Sequence, residues 1–151
     1  MSHYDVYIAG SMTGRLVGEV LAERRFVRGL LEVAGLTYYD PALGEGLENR
    51  NPQSTISNAF DQKRMSSFVK KDLAAVAESR TILNINGDMI SDGACWEMAY
   101  AIFYRQTPVH IVAPKRYTKE KMGFTNILVD GIHKDLGKAI KAVKKAIKEN
   151  S

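Results

Sequence analysis

The sequence predicts one doubly wound α/β domain over residues 1–151, a mostly parallel sheet of about five strands flanked by helices. Three observations predict it. Short apolar runs rich in β-branched and aromatic residues alternate with longer stretches whose apolar residues recur at helical spacing. Each run ends in turn residues. The 151 residues, 45% apolar and 25% charged, suffice to bury a core without disulfide or metal staples.

Val6-Tyr7-Ile8-Ala9 predicts a first strand that feeds the loop Gly10-Ser11-Met12-Thr13-Gly14. Val17, Val20, Leu21, Val27, Leu30 and Leu31 then mark one side of a helix, and Gly35 suits the left-handed residue that ends it. Leu36-Thr37-Tyr38-Tyr39 predicts a second strand, closed by Asp40-Pro41 because proline cannot extend a ladder. From Ala42 to Lys63 the chain is polar and aperiodic, a long loop of the kind that covers substrates. Ser66 or Ser67 is placed to cap the next helix, with Phe68, Leu73, Val76 and Ala77 inward. A third strand is expected over 80–86 and a helix over 93–105. Pro108-Val109-His110-Ile111-Val112-Ala113 predicts a fourth strand and Asn126-Ile127-Leu128-Val129 a fifth. The alternation argues for an open parallel sheet covered on both faces, flavodoxin-like or Rossmann-like.

The net charge of +4 has a local origin. Between Lys134 and Glu149 stand six lysines and two acids, and the rest of the chain is balanced. Leu136, Ile140, Val143 and Ile147 form an apolar stripe there, with the lysines largely off it, as in a terminal helix docked on the domain with a solvated basic face. No aromatic residues interleave with the lysines for base stacking, which argues against a nucleic-acid partner. A single cysteine, Cys95, no signal-peptide pattern and no apolar run of membrane-spanning length lead to the expectation of a cytoplasmic protein with no membrane partner. Cys95 and Trp96 are expected to pack inside.

Several α/β chemistries are absent from the sequence. It has no Gly-x-x-x-x-Gly-Lys phosphate loop, and Gly10 and Gly14 lack the spacing of a dinucleotide fingerprint. No Gly-x-Ser-x-Gly nucleophile elbow occurs. The histidines His3, His110 and His133 lie far apart, so neither a metal nor a cofactor is expected.

What remains is a set of polar residues at the ends of successive strands. In Ser91-Asp92-Gly93-Ala94-Cys95-Trp96-Glu97 a carboxylate follows a glycine turn where a helix begins, at the carboxyl end of the third strand. Ligands of open α/β sheets bind at that edge, aided by the free N–H groups of the helix start. Ser11, in the loop after strand one, shares the edge with Ser91 and Glu97. Taken alone, Glu97 is a first-turn acid favoured by the helix dipole, and Ser11 and Ser91 are turn or cap residues.

The order Val6-Tyr7-Ile8-Ala9-Gly10-Ser11, then Asp72-Leu73, then Ser91-x-Gly93-x-x-x-Glu97-x-Ala99-x-Ala101 resembles the nucleoside 2-deoxyribosyltransferase superfamily. Within it, the 2′-deoxynucleoside 5′-monophosphate N-glycosidases are most similar in motif. The resemblance spans most of residues 4–112 and implies that Glu97 attacks C1′ of the sugar and displaces the base. A carboxylate suits the positive charge that develops there and can trap it as a glycosyl ester. Asp72 matches the carboxylate near the base, a proton donor if its pKa is raised, and Tyr7 the tyrosine that orients nucleophile or sugar. Ser91 stands where the N-glycosidases have serine and the deoxyribosyltransferases aspartate; a hydroxyl can bind a phosphate that an aspartate would repel. Ser11 would be a second phosphate ligand, helped by backbone N–H groups, and Gly10 and Gly93 are counted with the substrate-binding residues. Thr13 stands where the N-glycosidase pattern has arginine, and Arg15 is placed to substitute, whereas Asp92 is placed to take the aspartate's role after a one-residue shift.

The resemblance therefore implies a small-molecule nucleotide or nucleoside as partner. Hydrolysis of a (deoxy)nucleoside 5′-monophosphate leads, base exchange between deoxynucleosides is the alternative, and a nucleotide-binding module without chemistry is the third reading. It also implies a homodimer or higher homo-oligomer, with Tyr100 and Tyr104 on the joining surface.

Overall fold

The computed structural model describes residues 3–57 and 62–151. Strands β1 (Tyr4–Ala9), β2 (Tyr38–Tyr39), β3 (Ser79–Asn84), β4 (Val109–Val112) and β5 (Gly131–His133) form one sheet in the order β2-β1-β3-β4-β5. Every pairing is parallel. Parallel neighbours need crossover connections, and the chain supplies them as helices α1 (Val17–Val33), α2 (Gln62–Ala77), α3 (Asp92–Tyr100) and α4 (Lys119–Leu128), with α5 (Leu136–Glu149) closing the chain.

The two faces of the sheet carry separate cores. Tyr7, Ala9, Ile82, Val109 and Ile111 pack against Ala75 and Val76 of α2, Ala94 and Met98 of α3, and Met122 of α4. Val6, Ile8, Leu83 and Val112 point the other way, against Val27 and Leu31 of α1 and Ala139, Ile140 and Val143 of α5. Alternation along β1 thus sends Tyr7 to the α2/α3 face and Val6 and Ile8 to the α1/α5 face. Because the chain runs from β1 outward to β2 and then returns to β3 on the opposite side, the carboxyl ends of β1 and β3 meet at the topological switch point, where open α/β folds hold ligands.

Most elements fall where the sequence places them, including the Gly35 helix stop (φ 75°) and the basic terminal helix, which Asp135 caps by accepting from Lys138 N at 2.8 Å. Four expectations are corrected. Asn126 to Leu128 belong to α4, bent at Gly123 (φ 38°), and the fifth strand is Gly131–His133, in register with β4 through Ile111 and Ile132. A four-residue apolar run fits either periodicity, and Ile127 is 80% exposed, on no core face. Helix α2 begins at Gln62, so Ser66 and Ser67 are exposed interior residues and not caps. The helix expected over 93–105 begins at Asp92, is α-helical to Tyr100 and widens into a π turn over Ala101–Arg105. Cys95 and Trp96 are exposed, Trp96 by 70%, because Ala94, Met98 and Ala101 form the inner side of that helix.

The long loop after β2 is described over 40–57. It forms two short 3-10 turns, Pro41–Glu45 and Leu47–Asn49, and then bonds to the start of α1, with Val17 N donating to Ser54 O at 2.9 Å and Ile56 N to Arg15 O at 2.9 Å. Ala42, Leu47 and Ile56 bury themselves against Val17 and Val20 as a small third core. Residues 58–61 of the expected loop lie outside the described residues.

Candidate active site

Tyr7 and Glu97 meet on the α2/α3 face. The Tyr7 hydroxyl donates to Glu97 Oε2. Tyr7 is fully buried on β1, between β2 and β3. Burial pushes the Glu97 carboxyl up to about 8. A donated hydrogen bond favours the carboxylate, but desolvation is the larger effect here. This is a carboxyl group withdrawn from water and oriented by the Tyr7 hydroxyl, as suits a nucleophile or acid–base group.

Ser91 is the N-cap of α3: its Oγ accepts from Ala94 N at 3.2 Å. The accepting oxygen keeps its own proton to donate, so capping leaves the hydroxyl available to a ligand. Asp92 and Gly93 open the helix and are exposed. A Cβ on Gly93 would meet nothing within 4 Å, so no protein neighbour requires glycine there. Asp72 is half-buried on α2, which packs against α3.

The loop after β1 is built differently from the sequence expectation. Ser11 N donates to Asn86 Oδ1 at 2.8 Å, and Arg15 Nη1 donates to Ser11 O at 2.9 Å. The Ser11 peptide is therefore engaged with protein and offers no backbone N–H to a phosphate. Its hydroxyl differs: Ser11 is only 6% exposed and its Oγ has no partner among the described residues. Gly10 is required by crowding, since a Cβ there would stand 2.4 Å from Asn86 Oδ1 and 3.1 Å from Arg24 Nη2. Thr13 is exposed. Arg15 grips Glu23 with both guanidinium nitrogens, at 2.9 and 3.3 Å, and Asn86 Nδ2 reaches the same carboxylate at 3.2 Å. The arginine placed to stand in for the missing one is thus already paired.

A cavity of about 310 Å³ opens beside this network, walled by Ser11, Arg15, Glu23, Asn86, Asp88 and Met89 among others. It also touches Ile85 and Val112, which belong to the α1/α5 face, whereas Tyr7 and Glu97 belong to the other. Tyr7 and Glu97 are not in its wall. The chemistry of the pair and the cavity at the strand ends are distinct features of one edge.

Behind the loop stands a buried ion pair with no sequence forecast. Arg24 (1% exposed) donates to Asp40 Oδ1 at 3.0 Å and to the carbonyls of Ile8 and Gly10 at 3.0 and 3.3 Å. Asp40 also takes Arg28 at 2.6 Å and Ala42 N at 3.0 Å. One guanidinium thereby ties the end of β1 to the end of β2. A signal was present: Arg24 lies on the stripe Val17, Val20, Val27, Leu31, where an arginine needs a buried acid. Asn86 had a weaker one, as a second asparagine two residues beyond Asn84 at a strand end.

No family model matches this chain, and no curated protein matches it. Among solved structures, a 2-deoxyribosyltransferase from the psychrotolerant bacterium Bacillus psychrosaccharolyticus matches with a TM-score of 0.62 over 88% of each chain, at 20% identity. The likeness shows a shared fold.

Proposed function

We propose that the protein cleaves the N-glycosidic bond of a (deoxy)nucleoside 5′-monophosphate, with Glu97 as nucleophile. The observation that carries this reading is the Tyr7 hydroxyl on the half-buried Glu97 carboxyl, at the sheet edge where this fold binds ligands. The carboxylate attacks C1′ as the base departs, Asp72 in its protonated form gives the leaving nitrogen its proton, and water then opens the glycosyl ester to free (deoxy)ribose 5-phosphate. The Ser91 and Ser11 hydroxyls, with the opening N–H groups of α3 at Asp92 and Gly93, supply the phosphate contacts. The open space over Gly93 supports close approach of a ligand to that helix start.

Base exchange between deoxynucleosides is the second reading, in which a free base replaces water. Two observations favour it: the fold shared with a 2-deoxyribosyltransferase, and Arg15 being neutralised by Glu23, which removes a cation from the phosphate's surroundings. We further infer a homo-oligomer joined through the exposed aromatics Trp96, Phe103 and Tyr104, the last stacked on Tyr100 at 5.7 Å.

Chromatography of reactions with a panel of nucleoside 5′-monophosphates and nucleosides, with and without a second free base, separates the readings. Release of base from monophosphates alone supports hydrolysis, and a new nucleoside formed from the added base supports exchange. Nucleotide binding that survives Glu97→Ala without turnover in either protein leaves only a binding module.

A further inference from the structure

Adjacent parallel strands stand about 4.8 Å apart, so residues in register project side by side from the same face. Tyr7 and Tyr39 are such a pair across β1 and β2. Their rings stack with centroids 5.8 Å apart and planes within 10° of parallel. Tyr4 closes on the outer ring edge to face, at 5.4 Å and 61°. The Tyr7 ring therefore has a rigid aromatic wall beside it, itself braced by a third ring.

We infer that Tyr39 is a positioning residue, whose ring holds the Tyr7 phenol at the angle that delivers its hydroxyl to Glu97 Oε2. A phenol hydroxyl lies at the far end of a long lever, so a small tilt of the ring displaces it by more than a hydrogen bond tolerates. On the opposite side Tyr7 is confined by β3, but toward the sheet edge β2 contributes only Tyr38 and Tyr39, and Tyr38 packs with the α1/α5 core. The ring of Tyr39 is what β2 sets against Tyr7. Its role in turnover rests on the reading of Glu97 as nucleophile; its geometric role does not.

The test is a carbon-13 NMR titration of the Glu97 carboxyl in the wild type and in Tyr7→Phe, Tyr39→Leu, Tyr39→Phe and the double variant Tyr7→Phe/Tyr39→Leu. Losing a donated hydrogen bond raises the midpoint, so Tyr7→Phe moves it up. Tyr39→Leu is expected to move it the same way, and Tyr39→Phe, which keeps the ring, to leave it in place. The double variant should match Tyr7→Phe alone, because Tyr39 acts through the hydroxyl already removed. The inference is overturned if Tyr39→Leu leaves the midpoint unmoved, if Tyr39→Phe shifts it as far as leucine does, or if the double variant exceeds Tyr7→Phe. Where the wild type turns over a nucleotide, Tyr39→Leu should lower kcat about 10- to 100-fold with KM unchanged, and Tyr39→Phe should restore it. A wild type without turnover sinks the functional reading while the titration still judges Tyr39.

Discussion

Tyr7 and Glu97 are 90 residues apart in the chain and share a hydrogen bond because β1 and β3 are neighbours in the sheet. Tyr7 stands on β1 itself, and Glu97 on the helix that follows β3, so the parallel crossover places a hydroxyl donor under a carboxyl group held above its usual range. The pair thereby links a strand position to a protonation state.

Attack on C1′ requires the ionised carboxylate. With Glu97 at about 8, most of the free protein carries it protonated at neutral pH. A pH series of kcat/KM should rise about tenfold per unit below that value, as the nucleophile ionises. Glu97→Gln should remove at least about 10³-fold of the rate at every pH, as loss of a nucleophile does. A profile flat from pH 6 to 9 contradicts the assignment.

Stability should depend on pH with two opposed slopes. Glu97 is raised by burial, so its favourable contribution is complete below its ordinary value of 4.5 and is lost as pH climbs to about 8. His110 is lowered to about 4, first by burial and then by His133, whose Nε2 lies 3.0 Å from its Nδ1. Its contribution is complete above its ordinary 6.5 and is lost as pH falls toward about 4. Urea denaturation across this range should show Glu97→Gln flattening the alkaline loss and His110→Gln the acid one.

Among the described residues the buried Ser11 hydroxyl has no partner, so removing it costs none of their contacts. Ser11→Ala should leave stability within about 0.5 kcal/mol or raise it. If the hydroxyl meets a substrate phosphate, KM for a 5′-monophosphate should rise about 10-fold while that for the unphosphorylated nucleoside stays put. Gly93→Ala makes a parallel case. Open space surrounds the new methyl and alanine favours helix by about 1 kcal/mol, so the melting temperature should rise while KM worsens. Isothermal titration calorimetry and thermal melts of the two variants check both halves.

Arg24→Met should be the most disruptive of these changes. It takes from the fully buried Asp40 its most buried cation, leaving only the partly exposed Arg28 and Ala42 N as partners, and frees the carbonyls of Ile8 and Gly10. Breaking one side of a buried pair costs about 3–5 kcal/mol. Arg28→Met leaves Asp40 paired with Arg24 and should cost distinctly less, a difference that denaturant midpoints report directly.

Much of the fold was legible because strand and helix periods are local. Val6 to Ala9, the α1 stripe ending at Gly35, and the lysine-faced α5 each declare themselves within a window of a few turns. Asn126 to Val129 did not, since four apolar residues satisfy either period and only pairing with β4 selects Gly131 to His133 as the strand. For the site, Tyr7, Ser91 and Glu97 were singled out by their resemblance to a family motif, whereas the amide of Ser11 could be assigned to Asn86 only once β1 and β3 lay side by side.

The sequence by itself determined which segments alternate and where the strand-end loops fall, because periodicity, turn chemistry and capping act over neighbouring residues; the glutamate expected in the first helical turn stands in the second, Asp92 being the first-turn acid. Only the tertiary structure decided that Tyr39 stacks on Tyr7, that Arg24 is buried with Asp40, that Arg15 is taken by Glu23, and that neither Tyr7 nor Glu97 lines the cavity at the strand ends. Those outcomes depend on which strands pair and in what register. Such pairing joins residues tens of positions apart, and no local preference records it.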